Sequence, residues 1–260
     1  MISNIEHNNL ISSLISIVKE AGSEILKIYE LEDLGISQKE DNSPLTLADN
    51  ASNNVICNKL NKLTPNLPIL SEEGGNISFD KRKKWDTFWL IDPLDGTKEF
   101  IKKNGEFSVN IALINHFKPI LGIVYAPVLD TTWYGSASEG SFKMIKNNKP
   151  EKINVLKFNK NETIKVVSSR SHSNNTKLDK FLTEYPKHEL IFMGSSIKIC
   201  LVADGSAHIY PRLGPTMEWD TAAAHAVVKF AGGNILDIDD KHELSYNKEN
   251  LLNPSFLVNN

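Results

Sequence analysis

Apolar side chains in the first quarter of the chain recur at the spacing of two amphipathic helices. In residues 5–29 they fall on one stripe of a helix, with the charged residues mostly on the other side. A polar run and Pro44 interrupt this pattern, and a second helical pattern covers residues 45–63. Thr46 or Asp49 stands near its start, where a capping side chain is expected. The pattern therefore predicts two helices before the first strand.

Farther along, the pattern changes to short apolar runs bounded by proline, glycine and acidic residues, which is typical of strands. The runs that predict strands in the first half cover residues 66–70, 87–91, 107–114, 120–125 and 132–135. A turn-forming cluster at residues 147–150 marks the expected boundary between two halves. Beyond it, predicted strands and helices alternate at residues 164–168, 176–184, 189–193, 196–203, 208–211 and 220–230. This alternation predicts an α/β second half.

Composition and charge exclude several classes of protein. The chain has 260 residues, 40% of them hydrophobic, and a formal net charge of −3, so it has neither a disordered composition nor the basic excess of a nucleic-acid binder. Its two cysteines, Cys57 and Cys200, form no C-x-x-C motif, which predicts buried, reduced thiols. No signal peptide or transmembrane segment is recognisable, and we expect a cytoplasmic protein.

The strongest chemical signal is the segment Asp-Pro-Leu-Asp-Gly-Thr at residues 92–97, directly after an apolar strand. A proline between Asp92 and Asp95 holds a turn in which both carboxylates and the Leu94 carbonyl converge. Oxygen ligands without histidine or cysteine favour a hard cation such as Mg²⁺ or Mn²⁺. Gly96 and Thr97 open the next segment, where backbone N–H groups beside a hydroxyl suit a phosphate. The segment predicts metal-assisted hydrolysis of a phosphate ester.

Two other interpretations of this segment are disfavoured. An aspartyl-phosphate hydrolase would need its nucleophile at the position of Pro93. A calcium loop would need further oxygen ligands where Lys98 and Phe100 stand.

Three separated motifs together resemble the inositol monophosphatase superfamily: the Glu72 motif Leu-Ser-Glu-Glu-Gly, residues 92–97, and Glu-Trp-Asp-Thr-Ala-Ala at residues 218–223. The resemblance implies a Mg²⁺-dependent, Li⁺-sensitive phosphomonoesterase. It also implies an αβαβα five-layer sandwich of the inositol monophosphatase and fructose-1,6-bisphosphatase type. In such a sandwich an α+β N-terminal half (residues 1–155) would carry most metal ligands, and an α/β C-terminal half (residues 156–260) would complete the site.

Further stretches resemble the CysQ branch of that superfamily, at residues 39–49, 95–101, 169–172 and 194–220. The resemblance implies hydrolysis of adenosine 3′,5′-bisphosphate, with its 5′-phosphosulfate analogue as a further expected substrate. Inositol monophosphatases usually carry a glutamate near the position of Arg212, facing ring hydroxyls. A ligand with a second phosphate needs fixed cations instead, which Arg212 and Lys198 would supply. One departure is Ala224, where the branch commonly has glycine, and we expect it to alter only packing.

The resemblance also implies roles for individual residues. The expected metal ligands, for two or three Mg²⁺ ions with Mn²⁺ as a substitute, are Glu72, Asp92, the Leu94 carbonyl, Asp95 and Asp220. Thr97, near Glu72, would orient the attacking water, and Asp49 would hold that water or the water shell of a third ion. Li⁺ and Ca²⁺ are expected inhibitors. The phosphate and nucleotide contacts would come from Gly96, Thr97, His172, Ser195, Lys198 and Arg212, beside the metal ligands Glu72, Leu94, Asp95 and Asp220.

Some alternatives stay open at this point. Ser195 and Lys198 could instead cap and solvate the start of a helix. The substrate could be an inositol or sugar phosphate, and a binding protein that has kept the site without turnover is a third possibility. The expected partner is a small nucleotide bisphosphate and no nucleic acid. A monomer and a homodimer are both compatible with the sequence, as is a peripheral position on the cytoplasmic face of the inner membrane.

Overall fold

Two long helices cover one face of a large sheet. The structure, a computed structural model, describes residues 4–38, 44–159, 162–170 and 176–260. Helix α1 (Asn4–Tyr29) is followed by the short pair β1 (Ser37–Gln38) and β2 (Pro44–Leu45) and by helix α2 (Leu47–Leu63). The apolar stripes of both helices are buried in one core cluster with residues of the large sheet. Both predicted helices are confirmed.

The large sheet has seven strands in the order in which they occur along the chain. They are β3 (Ile69–Ser71), β4 (Thr87–Asp95), β5 (Ser108–Asn115), β6 (Lys118–Ala126), β7 (Thr131–Ser136), β8 (Gly140–Ile145) and β9 (Glu151–Ile153). The pair β3–β4 is parallel and the later pairs are antiparallel. Two short helices, α3 (Phe79–Arg82) and α4 (Thr97–Ile101), flank β4 along the chain.

The opposite face of the sheet packs against helices from the second half of the chain. Strand β5 shows the division: Ile111 and Leu113 lie in the core cluster under α1 and α2, whereas Ala112 and Ile114 lie in the other. That second cluster contains residues of α6 (Ile197–Ala203) and α7 (Glu218–Phe230). Because strand side chains alternate between faces, β5 contributes to both cores.

Smaller sheets and another helix lie beyond these helices. Strand β10 (Ile164–Ser168) pairs in parallel with β11 (His188–Phe192), and α5 (Thr176–Leu182) buries Leu178 and Leu182 in a cluster with β10. An antiparallel sheet has the order β12 (Tyr210–Arg212), β14 (Phe256–Asn259), β13 (Asn234–Asp237). The layers alternate helix, sheet, helix, sheet, helix, so the predicted α/β sandwich is confirmed.

The sequence prediction was wrong about the ends and number of strands. Strand β4 continues through Asp92 to Asp95 instead of ending in a turn, because Asp92 pairs with Asn110 and Asp95 with Ser108 across a bulge. The pattern also missed β1, β2, β8, β9, β13 and β14, and residues 147–150 form the turn between β8 and β9. The division into halves at residue 155 stays a prediction. Within the residues that the structure describes, no helix has the length and hydropathy needed to cross a membrane.

Candidate metal and phosphate site

Three aspartates from two distant parts of the chain meet at the end of β4. Asp92 and Asp95 belong to the last residues of this strand, and Asp220 lies in the first turn of α7. One carboxylate oxygen from each lies within 4.8 Å of the others. In a regular strand, two side chains three residues apart point to opposite faces of the sheet. The bulge between Asp92 and Asp95 changes this alternation and brings both acids to the same place. The structure therefore brings together three of the predicted metal ligands.

Hydrogen bonds hold the bulged segment in place. The Leu94 N–H donates to Asp92 Oδ1 at 3.0 Å, and the Ser52 hydroxyl of α2 donates to the Pro93 carbonyl at 2.7 Å. The Leu94 carbonyl accepts the Thr97 hydroxyl at 3.3 Å. Asp220 Oδ2 in turn accepts the Met217 N–H at 2.9 Å, which fixes it at the start of α7.

The electrostatics of the cluster favour a bound cation. Burial raises the pKa of Asp92 well above its usual range, and the charges of Glu72, Asp95 and Asp220 raise it further. Burial and the neighbouring Asp95 likewise raise the pKa of Asp220. The pKa of Asp95 is raised by burial and partly lowered again by Lys198 and the Ser196 N–H. A divalent ion would stabilise all three charged forms, and a set of carboxylate oxygens is the donor set that hard cations prefer. The residues present fit such an ion.

Glu72 and Asp49 lie beside this cluster but outside the group of three carboxylates. The Glu72 N–H donates to the Ile91 carbonyl at 3.2 Å, and its side chain hydrogen-bonds to Asp92. Asp49 Oδ2 accepts the Thr46 N–H at 2.7 Å and its hydroxyl at 2.6 Å, so the pair forms the capping box of α2. Its other oxygen accepts the Thr97 hydroxyl at 3.4 Å. Asp49 thus connects the cap of α2 to Thr97, and its role toward water or metal stays a prediction.

Gly96 fits tightly between the strand and its neighbours. Its φ of +92° is a conformation that L-residues rarely adopt, and it precedes α4, which starts at Thr97. A Cβ atom at this position would lie 3.2 Å from both the Glu106 carbonyl oxygen and Ser195 Cβ. Only glycine allows the backbone to pass here without displacing a neighbour.

A cavity of about 430 Å³ is lined by two of these aspartates, Asp95 and Asp220, and by cationic side chains that include the predicted Lys198 and Arg212. It is lined by Asp95, Gly96, Lys98, Glu99, Ser169, Ser195, Ser196, Lys198, Ile199, Tyr210, Arg212, Pro215, Thr216, Asp220, Thr221 and Phe256. Acids and bases therefore line one space, which is the arrangement predicted for a ligand with two phosphates. His172 lies outside the described residues, as do residues 39–43 of the first CysQ-like stretch.

The two predicted cations of the cavity, Lys198 and Arg212, differ in their hydrogen bonds. Lys198 is only 7% exposed, and its ammonium donates to the Ser195 carbonyl at 2.5 Å. Burial is the main reason why its pKa falls to about 8. Arg212 donates from one terminal nitrogen to the Pro215 carbonyl at 2.8 Å, while its Nε is buried without a hydrogen-bond partner among the described residues. A buried donor of this kind is costly unless a ligand accepts from it.

The sequence pattern did not identify several residues of the site. Tyr210 lines the cavity, its ring centroid lies 5.7 Å from the Lys198 ammonium, and burial raises its pKa to about 12. Ser108 and Asn110 contact Ser196, whose N–H donates to Asp95. A signal for the pair was present, since two polar residues interrupt the otherwise apolar run at residues 107–114.

Sequence comparison finds relatives over nearly the whole length of the chain. Residues 6–260 match the sequence model of the inositol monophosphatase family. The 3′(2′),5′-bisphosphate nucleotidase CysQ of Escherichia coli strain K12 is 44% identical over 96% of this chain and 99% of its own length. The CysQ nucleotidase of Haemophilus influenzae is 37% identical over 97% of this chain and 93% of its own length.

Solved structures give the same result. The crystal structure of CysQ from Bacteroides thetaiotaomicron superposes with a TM-score of 0.86 at 40% identity, covering 98% of each chain. An IMPase from Thermotoga maritima superposes with a TM-score of 0.78, covering 97% of this chain and 92% of its own, and at 24% identity it shows the likeness of fold alone.

Proposed function

The chain belongs to the inositol monophosphatase family, and from that premise we propose that it is a 3′(2′),5′-bisphosphate nucleotidase. It removes the 3′-phosphate of adenosine 3′,5′-bisphosphate and releases AMP and phosphate. The resemblance to this family and to its CysQ branch, predicted from the motifs, is confirmed. Members of the family are metal-dependent phosphatases, and the cluster of acidic residues fits that dependence.

The observation that carries the proposal is the presence of both charge signs in one cavity. Asp95 and Asp220 line it together with Lys198 and Arg212. A substrate with two phosphates would place the scissile group at the aspartates and the other group at the cations. The buried Arg212 Nε, which has no partner among the described residues, supports an anion there. A neutral polyol would leave these cations without an anionic partner.

We assign the metal-binding role to the carboxylates of the bulged segment and α7. Mg²⁺, with Mn²⁺ as a substitute, would be held by Asp92, Asp95 and Asp220, with Glu72 and the Leu94 carbonyl as further ligands. When bound, divalent ions lower the pKa of a water molecule and stabilise the oxygen of the leaving group. Mg²⁺ as the ion, the number of ions and inhibition by Li⁺ and Ca²⁺ all belong to this proposal.

Other residues bind and orient the substrate. The Thr97 hydroxyl lies within hydrogen-bond distance of the Leu94 carbonyl and of Asp49 and can donate its one proton to either, so its lone pairs are left to accept a hydrogen bond from a water molecule. Gly96 lets the backbone approach the transferred phosphate. Lys198 and Arg212 would grip the 5′-phosphate, Arg212 in bidentate fashion. Ser195 lines the same wall of the cavity, and His172 is assigned to the nucleotide from its motif alone.

A cytoplasmic location is part of the same proposal. Both cysteines are free, Cys200 buried and Cys57 half-buried, which fits a reducing compartment.

The direct test is phosphate release from adenosine 3′,5′-bisphosphate and from inositol 1-phosphate, measured side by side with Mg²⁺, with EDTA and with added Li⁺. We expect a strong preference for the nucleotide, loss of turnover with EDTA and inhibition by Li⁺. Asp95→Asn should abolish turnover without unfolding the protein, whereas Asp239→Asn, an exposed loop aspartate, should remain active. Equal activity of Asp95→Asn and the wild type would refute the metal assignment.

The charge of the cavity is tested by Arg212→Glu. This variant should lose far more activity on the bisphosphate than on 3′-AMP, because only the bisphosphate carries the group that Arg212 would bind. An equal loss on both substrates would contradict the assignment of the second phosphate.

A further inference from the structure

Strand β5 carries two polar residues at positions that belong to the apolar core. Ser108 and Asn110 share the face of Ala112 and Ile114, which pack against α6 and α7. Ser108 is 0% exposed and Asn110 is 1% exposed. Burying a hydroxyl and an amide is unfavourable unless hydrogen bonds compensate for the lost water. The partners of this pair therefore indicate what it does.

Both side chains bind the turn that precedes α6. The Ser108 hydroxyl lies 2.9 Å from the Ser196 hydroxyl and donates to the Ser195 hydroxyl at 3.1 Å. The Ser196 hydroxyl donates to Asn110 Oδ1 at 2.8 Å. The sheet thus holds this turn by side-chain contacts on two consecutive residues.

The same turn contacts an acid and a cation of the cavity, Asp95 and Lys198. The Ser196 N–H donates to Asp95 Oδ2, and the Lys198 ammonium donates to the Ser195 carbonyl at 2.5 Å. Ser195 has a φ of +47°, so a non-glycine residue is held in the left-handed region. Such a conformation persists only where the surrounding contacts enforce it. The Ser108 hydroxyl, which donates to the Ser195 hydroxyl, is one of those contacts.

The pairing of β4 with β5 places the polar pair directly beside the acids. Asn110 is opposite Asp92, and Ser108 is opposite Asp95. The Asn110 side chain also interacts with the Asp95 carboxylate. The buried pair therefore lies between the acidic strand on one side and the turn at residues 195–198 on the other.

We propose that Ser108 and Asn110 are positioning residues that hold Asp95 and the turn at residues 195–198 as one unit. Metal affinity and recognition of the second phosphate then depend on the same buried pair. The expected effect on recognition of the second phosphate rests on the proposed nucleotidase function. The expected effect on metal affinity is independent of which substrate the enzyme uses.

The test compares Ser108→Ala and Asn110→Ala with Ser141→Ala. Ser141 is the matched control, since its buried hydroxyl also ties the large sheet to a helix, donating to the Val227 carbonyl of α7 at 2.7 Å. Mg²⁺ affinity is measured by calorimetry on substrate-free protein, and kcat/KM is measured for adenosine 3′,5′-bisphosphate and for 3′-AMP. Thermal unfolding reports the purely structural cost of each change.

We expect Asn110→Ala to weaken Mg²⁺ binding by about tenfold, the lower end of the effect of residues that support metal ligands. Its preference for the bisphosphate over 3′-AMP should fall together with the metal affinity. Ser108→Ala, which removes a single hydroxyl, should change both quantities in the same direction. Ser141→Ala should lower Tm and leave both quantities at their wild-type values.

Two results would overturn the inference. The first is a lower Tm of the Ser108 and Asn110 variants with unchanged Mg²⁺ affinity, which is what a merely structural role gives. The second is weaker Mg²⁺ binding with an unchanged substrate preference, which would show that the two sites are not held as one unit. Failure of the proposed function itself is a different result, because wild-type protein would then show no preference for the bisphosphate.

Discussion

The position of Gly96 allows a prediction with a worked magnitude. In Gly96→Ala, the new methyl group must occupy a left-handed conformation at a φ of +92°. It would also lie 3.2 Å from the Glu106 carbonyl oxygen and from Ser195 Cβ, and 3.4 Å from Phe107 Cα. Two of these three atoms belong to the backbone and cannot rotate away. The segment that carries the predicted phosphate contacts must therefore shift by a few tenths of an ångström.

The expected cost has two parts. A left-handed conformation costs an L-residue about 1–2 kcal/mol, and crowding in a well-packed place adds about 1–3 kcal/mol. Gly140 separates the two parts, since its φ is +85° but its nearest neighbour would be the flexible end of Lys152 at 3.4 Å. Gly140→Ala should therefore show the conformational cost alone. The difference between the two variants isolates the crowding at the site.

The assay combines urea unfolding with kcat/KM for adenosine 3′,5′-bisphosphate. We expect Gly96→Ala to lose at least about tenfold in kcat/KM, because small displacements of a positioning group reduce rates steeply. Gly140→Ala should keep wild-type activity in spite of its lower stability. If Gly96→Ala is as active as Gly140→Ala, the backbone at residue 96 does not determine the position of the phosphate and the reasoning is refuted.

Three further predictions concern charge. Because the pKa of Lys198 is about 8, kcat/KM for the bisphosphate should fall above pH 8 as the lysine loses its charge, and Lys198→Arg should move this fall to higher pH. An identical fall above pH 8 with 3′-AMP in a pH–rate profile would contradict this. The raised pKa values of Asp92 and Asp220 mean that metal-free protein loses stability as the pH rises through them. A Mg²⁺ concentration about 100 times the Kd at pH 7 should add about 2.7 kcal/mol to the free energy of unfolding at that pH, and the same concentration should add less in thermal unfolding at pH 5, because protonated carboxyls bind the ion more weakly. Glu218→Gln should lower the free energy of unfolding in urea by about 1–3 kcal/mol, because the buried carboxylate accepts from the Lys248 ammonium at 2.6 Å; an unchanged urea midpoint would count against that role.

Long elements and sequence motifs were predictable because their signals are local. Helices α1 and α2 extend over many turns, so the apolar stripe repeats often enough to be recognised. The segment from Asp92 to Thr97 combines two acids, a proline, a glycine and a hydroxyl within one short stretch. Its meeting with Asp220 could be expected only through the resemblance to a family, since no local pattern relates residues so far apart in the chain.

Features that depend on strand pairing were not predictable in the same way. The bulge that keeps Asp92 and Asp95 within β4 is defined by their partners on β5, which the local pattern does not identify. The capping of α2 shows a related limit. The sequence offered Thr46 or Asp49 as the cap, whereas the structure uses both in one capping box and also connects Asp49 to Thr97. Strands such as β8 escaped detection because their half-exposed residues do not alternate clearly.

The distances between charged side chains in the cavity determine whether they pair with each other or remain available for a metal and a substrate. Two unit charges about 4 Å apart attract each other by about 4 kcal/mol near a protein surface. A direct ion pair between Lys198 or Arg212 and the aspartates would therefore compete with metal and substrate. Among the described residues, neither Lys198 nor Arg212 forms an ion pair within 4.0 Å of an aspartate. Instead, Lys198 donates to the Ser195 carbonyl and Arg212 to the Pro215 carbonyl.

Hydrogen bonds to backbone groups thus keep the acidic and the cationic side chains apart, although both line the same cavity. Asp95 accepts the Ser196 N–H, and Lys198 is held by the preceding carbonyl of the same turn. Each group then retains most of its capacity for a ligand of opposite charge, a cation at the acids and an anion at the bases. A nucleotide with two phosphates satisfies both at once, whereas a monophosphate leaves one side unpaired. We therefore expect the separation set by residues 195–198 to determine substrate specificity as well as structure.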